Sequence, residues 1–264
     1  MSNQKPSTDQ HDRLMRLLAV FELPRAELDR MVELMQLLAD LSAPPDPGCH
    51  FPRYAALREA LRRAMAGDDA DVVEEAFLEL YAHLHMHESP YTKEERARMD
   101  ETGGYWSHAG GIAPLIKAAP HIRSDTVSAD YGAGNGLQGL LLQKLYPHRK
   151  TIQIEISSEA VAIGRRLERW LDVAEHSVEW IIGDVLDHPP LGVDFIYLYR
   201  PVRPVGEGIR FYQTLADTVS QSPTEVTIFS IADCLKDFLP PDFERFYFDG
   251  HLSCFRGPGK NGSP

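Results

Sequence analysis

Cysteine is scarce. Cys49, Cys234 and Cys254 are the only three in 264 residues. The count is odd, the spacing is wide and no Cys-x-x-Cys pair exists, so neither a disulfide framework nor a zinc knuckle is indicated. No run approaches the roughly 18 consecutive apolar residues of a membrane span. The opening stretch, residues 1–10, is polar and lacks the apolar core of a signal peptide. Basic residues are also in deficit, with 27 Lys and Arg against 39 Asp and Glu and a net charge of -12. Phosphate binding wants a basic face, so this balance argues against a nucleic-acid partner and an anionic membrane surface. Internal repeats and low-complexity tracts are missing too. The expectation is a reduced, cytoplasmic, enzyme-sized protein, whose oligomeric state the sequence leaves open.

Strand signals are lacking in the first 90 residues, where helical periodicity dominates instead. Apolar residues recur in register over 11–22 (Leu14, Leu17, Leu18, Phe21) and 25–41 (Leu28, Met31, Leu34, Met35, Leu38), the spacing of amphipathic helices. A Pro-rich loop follows at 43–48, then two more helices at 53–66 and 70–87. Gly67-Asp68-Asp69 divides that pair, and Asp69 is placed to cap the second helix. His83, His85 and His87 alternate near its end. On a helix only His83 and His87 share a face, and two ligands are too few for a zinc site, so no metal is expected.

Residues 91–123 form a bridge. Thr92 and Glu95 have capping-box spacing, opening a charged helix to about Met99. Two Gly-Gly pairs then bracket Tyr105, Trp106, Ser107 and His108. Glycine-flanked aromatics suit a lid or pocket wall, and equally a loop with a buried tryptophan. A helix is expected over 112–122.

Beyond 124 the pattern alternates. Strands are expected at 125–130, 151–156, 178–182, 193–199 and 225–231, with helices at 137–146, 158–172 and 207–220 between them. Such alternation means a parallel sheet with helices on both faces. Two last strands, 243–248 and 251–256, flank Asp249-Gly250, a strong hairpin signal.

The richest stretch runs from Asp130 through Tyr131-Gly132-Ala133-Gly134-Asn135-Gly136 into the apolar helix that starts at Leu137. Strand, glycine loop and helix follow one another. Glycine permits positive φ and close approach of backbone to a ligand. The helix start presents unpaired N–H groups and partial positive charge. Ligands of open parallel sheets sit at the carboxyl ends of the strands, and three acids lie there: Asp130, Glu155 and Asp184.

These residues resemble the acidic-x-Gly-x-Gly-x-Gly signature of class I S-adenosylmethionine-dependent methyltransferases, over about 125–256. The resemblance implies an α/β fold, a seven-stranded Rossmann-like sheet ending in an antiparallel hairpin. It does not reach the helical region, so the expected organisation is a helical cap or extension over 1–123 ahead of an S-adenosylmethionine domain over 124–264. Glu155 matches the ribose-binding acid and Asp184 the adenine-contacting acid. The implied cofactor set is Asp130, Gly132, Ala133, Gly134, Asn135, Gly136, Glu155, Ile156, Asp184, Val185 and Tyr199. Residues 194–201 occupy the place of the motif facing the acceptor. They read Tyr199-Arg200-Pro201, then Val202-Arg203, not the Asn-Pro-Pro-Tyr of many amino-group methylases of DNA and protein glutamine.

Arg200 and Arg203 either hold an anionic acceptor group or pair with nearby acids. With Trp106 they are the acceptor-side candidates. His108, Tyr105 and Tyr199 are candidates for a base or pocket wall. The acceptor implied is a small molecule, with a protein side chain of lysine type as the alternative. Gly134-Asn135-Gly136-Leu137-Gln138-Gly139 also fits a dinucleotide fingerprint. A dinucleotide-binding or non-catalytic relative therefore stands as the competing reading.

Overall fold

A computed structural model describes residues 8–85, 91–104, 111–174, 176–232 and 234–259. By its internal contacts the chain divides into two compact units, Met1–His87 and Glu88–Pro264. Residues 88–123 thus group with the sheet, whereas the sequence reading drew its boundary after 123.

The first unit is helical. α1 (Thr8–Leu17), α2 (Arg25–Asp40), α3 (Tyr54–Ala66) and α4 (Ala70–His85) follow in order. The helix expected over 11–22 ends earlier and tightens into a 3-10 turn, Leu18–Phe21, closed by Glu22 in the left-handed region at φ 55. Leu18, Leu34, Met35, Leu38, Leu61 and Leu80 are fully buried, so the predicted apolar stripes form the core. Asp69 caps α4 as expected, accepting from Asp71 N at 3.0 Å and Val72 N at 3.3 Å. His83 and His85 serve the local structure. His83 Nε2 accepts from Arg53 N at 3.3 Å, and His85 Nδ1 lies 3.1 Å from Tyr81 O. His87 lies outside the described residues.

The second unit carries a seven-stranded sheet. Its strands are β1 (Val127–Tyr131), β2 (Lys150–Glu155), β3 (Val178–Ile182), β4 (Phe195–Leu198), β5 (Val226–Ile231), β6 (Glu244–Phe248) and β7 (Leu252–Gly257). The order across the sheet is β3-β2-β1-β4-β5-β7-β6. Strands β1 to β5 pair in parallel, and β7 is antiparallel to both β5 and β6. The Asp249-Gly250 turn is stabilised by Asp249 Oδ1, which accepts from His251 N at 2.9 Å and Leu252 N at 2.7 Å, while Gly250 takes φ 93. The central strands are apolar on both faces, as helix-covered parallel strands must be. Ile196, Leu198, Ile228 and Phe229 are buried completely.

The remaining helices are α5 (Lys93–Thr102), α6 (Ile112–Lys117), α7 (Leu137–Leu145), α8 (Ser158–Trp170) and α9 (Glu207–Ser220). α5 opens with the predicted capping box. Thr92 Oγ1 accepts from Glu95 N at 3.2 Å, and Glu95 Oε2 accepts from Thr92 N at 2.7 Å. The helix expected over 112–122 stops at Lys117 and resumes as a 3-10 turn, Ala119–His121, because Pro120 has no N–H to continue the ladder. Strand order reverses between β1 and β4. That switch point opens a crevice at the carboxyl ends, where the glycine loop and Tyr199 both lie.

Candidate functional site

The loop after β1 is built by its glycines. Gly132, Gly134 and Gly136 sit at φ 73, 58 and 67, in the left-handed region that L side chains rarely adopt. Their surroundings differ. A Cβ on Gly136 would lie 2.2 Å from Trp180 Cη2 and 2.9 Å from Gln153 Nε2. A Cβ on Gly132 would meet Pro201 at 2.9 Å, whereas one on Gly134 would meet nothing within 4 Å. Gly136 is therefore packed against the protein, and Gly134 faces open space. Asn135 is buried and its Oδ1 accepts from Leu137 N at 3.2 Å, tying the loop into α7.

The loop is moored to the end of β2. Ile154 O accepts from both Gly132 N and Ala133 N at 3.0 Å. Glu155, the next residue, is 3% exposed. Its Oε2 accepts from Gly134 N at 2.8 Å and its Oε1 from Ser157 N at 2.9 Å. Burial pushes its carboxyl above the ordinary range, while N–H groups of Ser157, Gly134 and Ile156 pull the other way. An ionised carboxylate offers about four lone-pair positions. Three backbone donors therefore still leave an acceptor position for a ligand hydroxyl.

Asp130 points into the first turns of α7. One of its oxygens accepts from Gly139 N. The other, Oδ2, is buried with no hydrogen-bond partner among the described residues. It lines a small cavity with Ser128, Gln138 and Tyr197, of about 10 Å³, close to the room one water needs. Burial chiefly, and then the nearby charge of Glu155, push the Asp130 carboxyl up to about 7.

Asp184 follows β3, whose end is tied to β2 by Gly183 N donating to Glu155 O at 3.0 Å. It caps a 3-10 turn, Val185–Asp187, with Oδ1 accepting from Leu186 N at 3.0 Å. Its Oδ2 accepts from Arg98 Nε at 2.7 Å. Arg98 belongs to α5 and was not singled out in the sequence. It also reaches Glu101 at 3.0 Å and Glu207 at 3.8 Å. Tyr91, just before α5, was missed as well. Its hydroxyl is held protonated by burial and by the charges of Glu155 and Glu95. The charged pattern of α5 reads as a solvated face, so no local signal marked either residue.

On the far side of the switch point, Tyr199 and Arg200 follow β4. Arg200 takes φ 46, a left-handed conformation that costs a side-chain-bearing residue about 1–2 kcal/mol. Such strain collects at functional sites. Ala232, at the end of β5, does the same at φ 68. The Tyr199 ring meets His251 edge-on at 5.9 Å, and burial raises its hydroxyl pKa. Arg203 N donates to Gly103 O at 2.9 Å, and Gly104 bridges Val202, so the end of α5 is fastened to this segment. Gly111 is fastened too, its carbonyl accepting from Gln138 Nε2 at 3.1 Å. Tyr105, Trp106 and His108 lie outside the described residues. The structure thus gathers Asp130, the glycine loop, Glu155, Ile156, Asp184 and Val185 around the ends of β1 to β3. Tyr199 to Arg203 line the neighbouring end of β4.

No protein-family model matches this sequence, and no curated protein matches it. Solved structures do resemble it. An RNA methyltransferase from Salinibacter ruber in complex with S-adenosyl-L-homocysteine is 19% identical, covering 58% of this chain and 92% of that one, with a TM-score of 0.43. TrmN from Thermus thermophilus is 17% identical over 55% of this chain and 46% of its own, at 0.41. The [4+2]-cyclase SpnF is 16% identical over 56% and 62%, at 0.43. The deciding observation is the sheet itself, five parallel strands in the order 3-2-1-4-5 completed by an antiparallel β7 inserted before β6. The fold is that of the class I methyltransferases. No helix among the described residues is long and apolar enough to cross a membrane.

Proposed function

We propose that this protein is a cytoplasmic S-adenosylmethionine-dependent methyltransferase acting on a small-molecule acceptor. One observation carries the reading: the glycine loop is bordered by carboxylates. Gly134 N, a donor that a phosphate would need, is given to Glu155, and Asp130 lies buried beside it. A dinucleotide pyrophosphate in this loop would face two acids at close range, an unfavourable pairing in a low-dielectric site. A ligand with an ammonium and a sulfonium suits the same surroundings. The orphaned Oδ2 of Asp130 gains a partner when a bridging water or the ligand's amino group reaches it. Glu155 has an acceptor position left towards the ribose hydroxyls, and Asp184 towards an exocyclic amino group.

S-adenosylmethionine supplies a methyl group already activated for in-line displacement. The protein's part is then alignment and a closed site. Glu155 and Asp184 fix the nucleoside, and Gly132 and Gly134 let the loop backbone approach the amino-acid portion. Tyr199 and Arg200 stand on the acceptor side of the switch point. Tyr199, a protonated phenol, orients the acceptor atom. Arg203 lies one bridge further out.

The net charge of -12 favours a small or cationic acceptor over a nucleic acid. A lysine side chain of a protein is the second reading, favoured by the same charge. Calorimetry tests the core of the proposal. S-adenosylmethionine and S-adenosylhomocysteine bind, and NAD(H) and NADP(H) do not. Tight binding of a nicotinamide nucleotide alone overturns it. Transfer of labelled methyl groups into a metabolite extract, against a protein extract, separates the two acceptors.

A further inference from the structure

Asp184 has both carboxylate oxygens engaged, and the strongest of its partners is a cation from a different part of the unit. Oδ1 caps its own turn. Oδ2 lies 2.7 Å from Arg98 Nε, in a contact where Asp184 is 14% exposed and Arg98 34%. The remaining guanidinium nitrogens lie 3.0 Å from Glu101 and 3.8 Å from Glu207. One cation thus sits among three carboxylates drawn from α5, the turn after β3 and the start of α9. α5 cannot easily drift away from this arrangement. Its start is closed by the capping box, with Tyr91 half-buried near Glu155 just ahead of it. Its end is pinned by the Gly103–Arg203 hydrogen bond and the Gly104–Val202 bridge.

We propose that Arg98 is a positioning residue for the base-binding end of the cofactor crevice, fixing the Asp184 carboxylate so that it selects an exocyclic amino group over a carbonyl. The proposal rests on the S-adenosylmethionine reading. Its reasoning is geometric. With Arg98 in place, the Asp184 carboxylate is held in one direction by a short charge-assisted bond, leaving lone pairs that accept. A 6-amino purine donates to them, and a 6-oxo purine presents oxygen to oxygen. The guanidinium itself is drawn towards Glu101 and Glu207. Without Arg98, three acids face one another with no cation between them. Their repulsion turns the Asp184 carboxylate away from the base edge, and the amino ring loses its advantage over the 6-oxo one.

The test compares S-adenosylhomocysteine with S-inosylhomocysteine by calorimetry. The pair differs at the 6-position. The wild type should prefer the adenosyl compound by roughly tenfold or more, the range of a charge-assisted hydrogen bond. In Arg98→Met the ratio of dissociation constants should fall to within about threefold, whatever happens to the absolute affinities. Arg98→Lys, which restores the charge, should recover part of the ratio. A general loosening of α5 would weaken both ligands alike and keep the ratio, and that result overturns the inference while leaving the cofactor reading intact. Failure of the wild type to bind S-adenosylhomocysteine at all overturns both.

Discussion

Gly134 and Gly136 look equivalent in the sequence, but substitution should separate them. Alanine at either position must adopt a left-handed backbone, at about 1–2 kcal/mol. At Gly134 that is the whole cost, because a Cβ there meets nothing within 4 Å. At Gly136 the methyl would sit 2.2 Å from the Trp180 ring and 2.9 Å from Gln153 Nε2. Trp180 cannot retreat without loss. Its Nε1 donates to Glu168 Oε2 at 2.9 Å, and the ring also fills the space beside Gly164, where a Cβ would again lie 2.2 Å away. Overpacking of this kind adds roughly 1–3 kcal/mol. Gly134→Ala should thus lose about 1.5 kcal/mol and Gly136→Ala about 3.5 kcal/mol, summing the central values. In thermal unfolding of a unit this size, the two correspond to drops of roughly 3–6 °C and 7–14 °C.

Ligand binding should rank the variants the other way. Gly134→Ala remains folded but pushes a methyl into the space where the ligand is placed, so affinity for S-adenosylhomocysteine should fall at least about tenfold, as when a polar contact is lost. The steric cause at Gly136 is checked by a double mutant. Trp180→Leu removes the clashing atoms, so Gly136→Ala should cost about 1–2 kcal/mol less in that background, within the range of coupling between touching residues. Equal destabilisation by both alanines would refute the packing argument. Unchanged ligand affinity in Gly134→Ala would move the ligand away from this loop.

Other expectations follow from the same geometry. Glu155→Gln faces an amide nitrogen towards Gly134 N or Ser157 N, and a lost charge-assisted bond costs about 1.5–3 kcal/mol. Calorimetry should show cofactor affinity down about tenfold or more, and an unchanged constant removes Glu155 from the site. Two buried groups should tilt stability in opposite directions over the same acid range. Burial between Phe229 and Phe246 lowers His121 from 6.5 to about 4, so its contribution is complete above 6.5 and is lost as pH falls towards 4. Asp130 is raised from 3.8 to about 7, so its contribution is complete below 3.8 and is lost as pH rises through 7. Denaturant midpoints between pH 4 and 7 should therefore show partly cancelling slopes, with His121→Phe exposing the fall with pH due to Asp130 and Asp130→Asn exposing the rise with pH due to His121. Slopes unmoved by these changes would assign the titrations elsewhere. Finally, filter binding at about 0.1 M salt should detect no retention of RNA. Submicromolar retention would reverse the inference drawn from the net charge.

The sheet was legible because its signals are local. Each strand is a short apolar run, each helix has its own period, and Asp249-Gly250 marks the hairpin by turn chemistry alone. Boundaries slipped where a terminus depends on three-dimensional context, as at Leu18–Phe21 and Ala119–His121. The place of residues 91–123 was not legible. Their charged helix carries no apolar stripe pointing to a sheet, and its attachment runs through two ion-pair partners and a bridge far along the chain.

The site was legible in part for the same reason. A glycine forced to positive φ leaves a mark in the sequence, and an acid at a strand end can be counted to. What such an acid does cannot be counted to. Glu155 reads as a bare carboxylate awaiting a ligand, yet in the fold it first organises the loop, accepting from Gly134 and Ser157. Asp184 reads as a solitary acid, yet it is half of an ion pair whose other half lies 86 positions earlier. The consequence is chemical. Asp130 and Glu155 are raised chiefly by burial, and an acid so raised is a weaker, pH-sensitive acceptor. An acid clamped by arginine is held in one direction. The two ends of the loop region therefore differ, with a buried, titratable acid at Asp130 and an oriented one at Asp184.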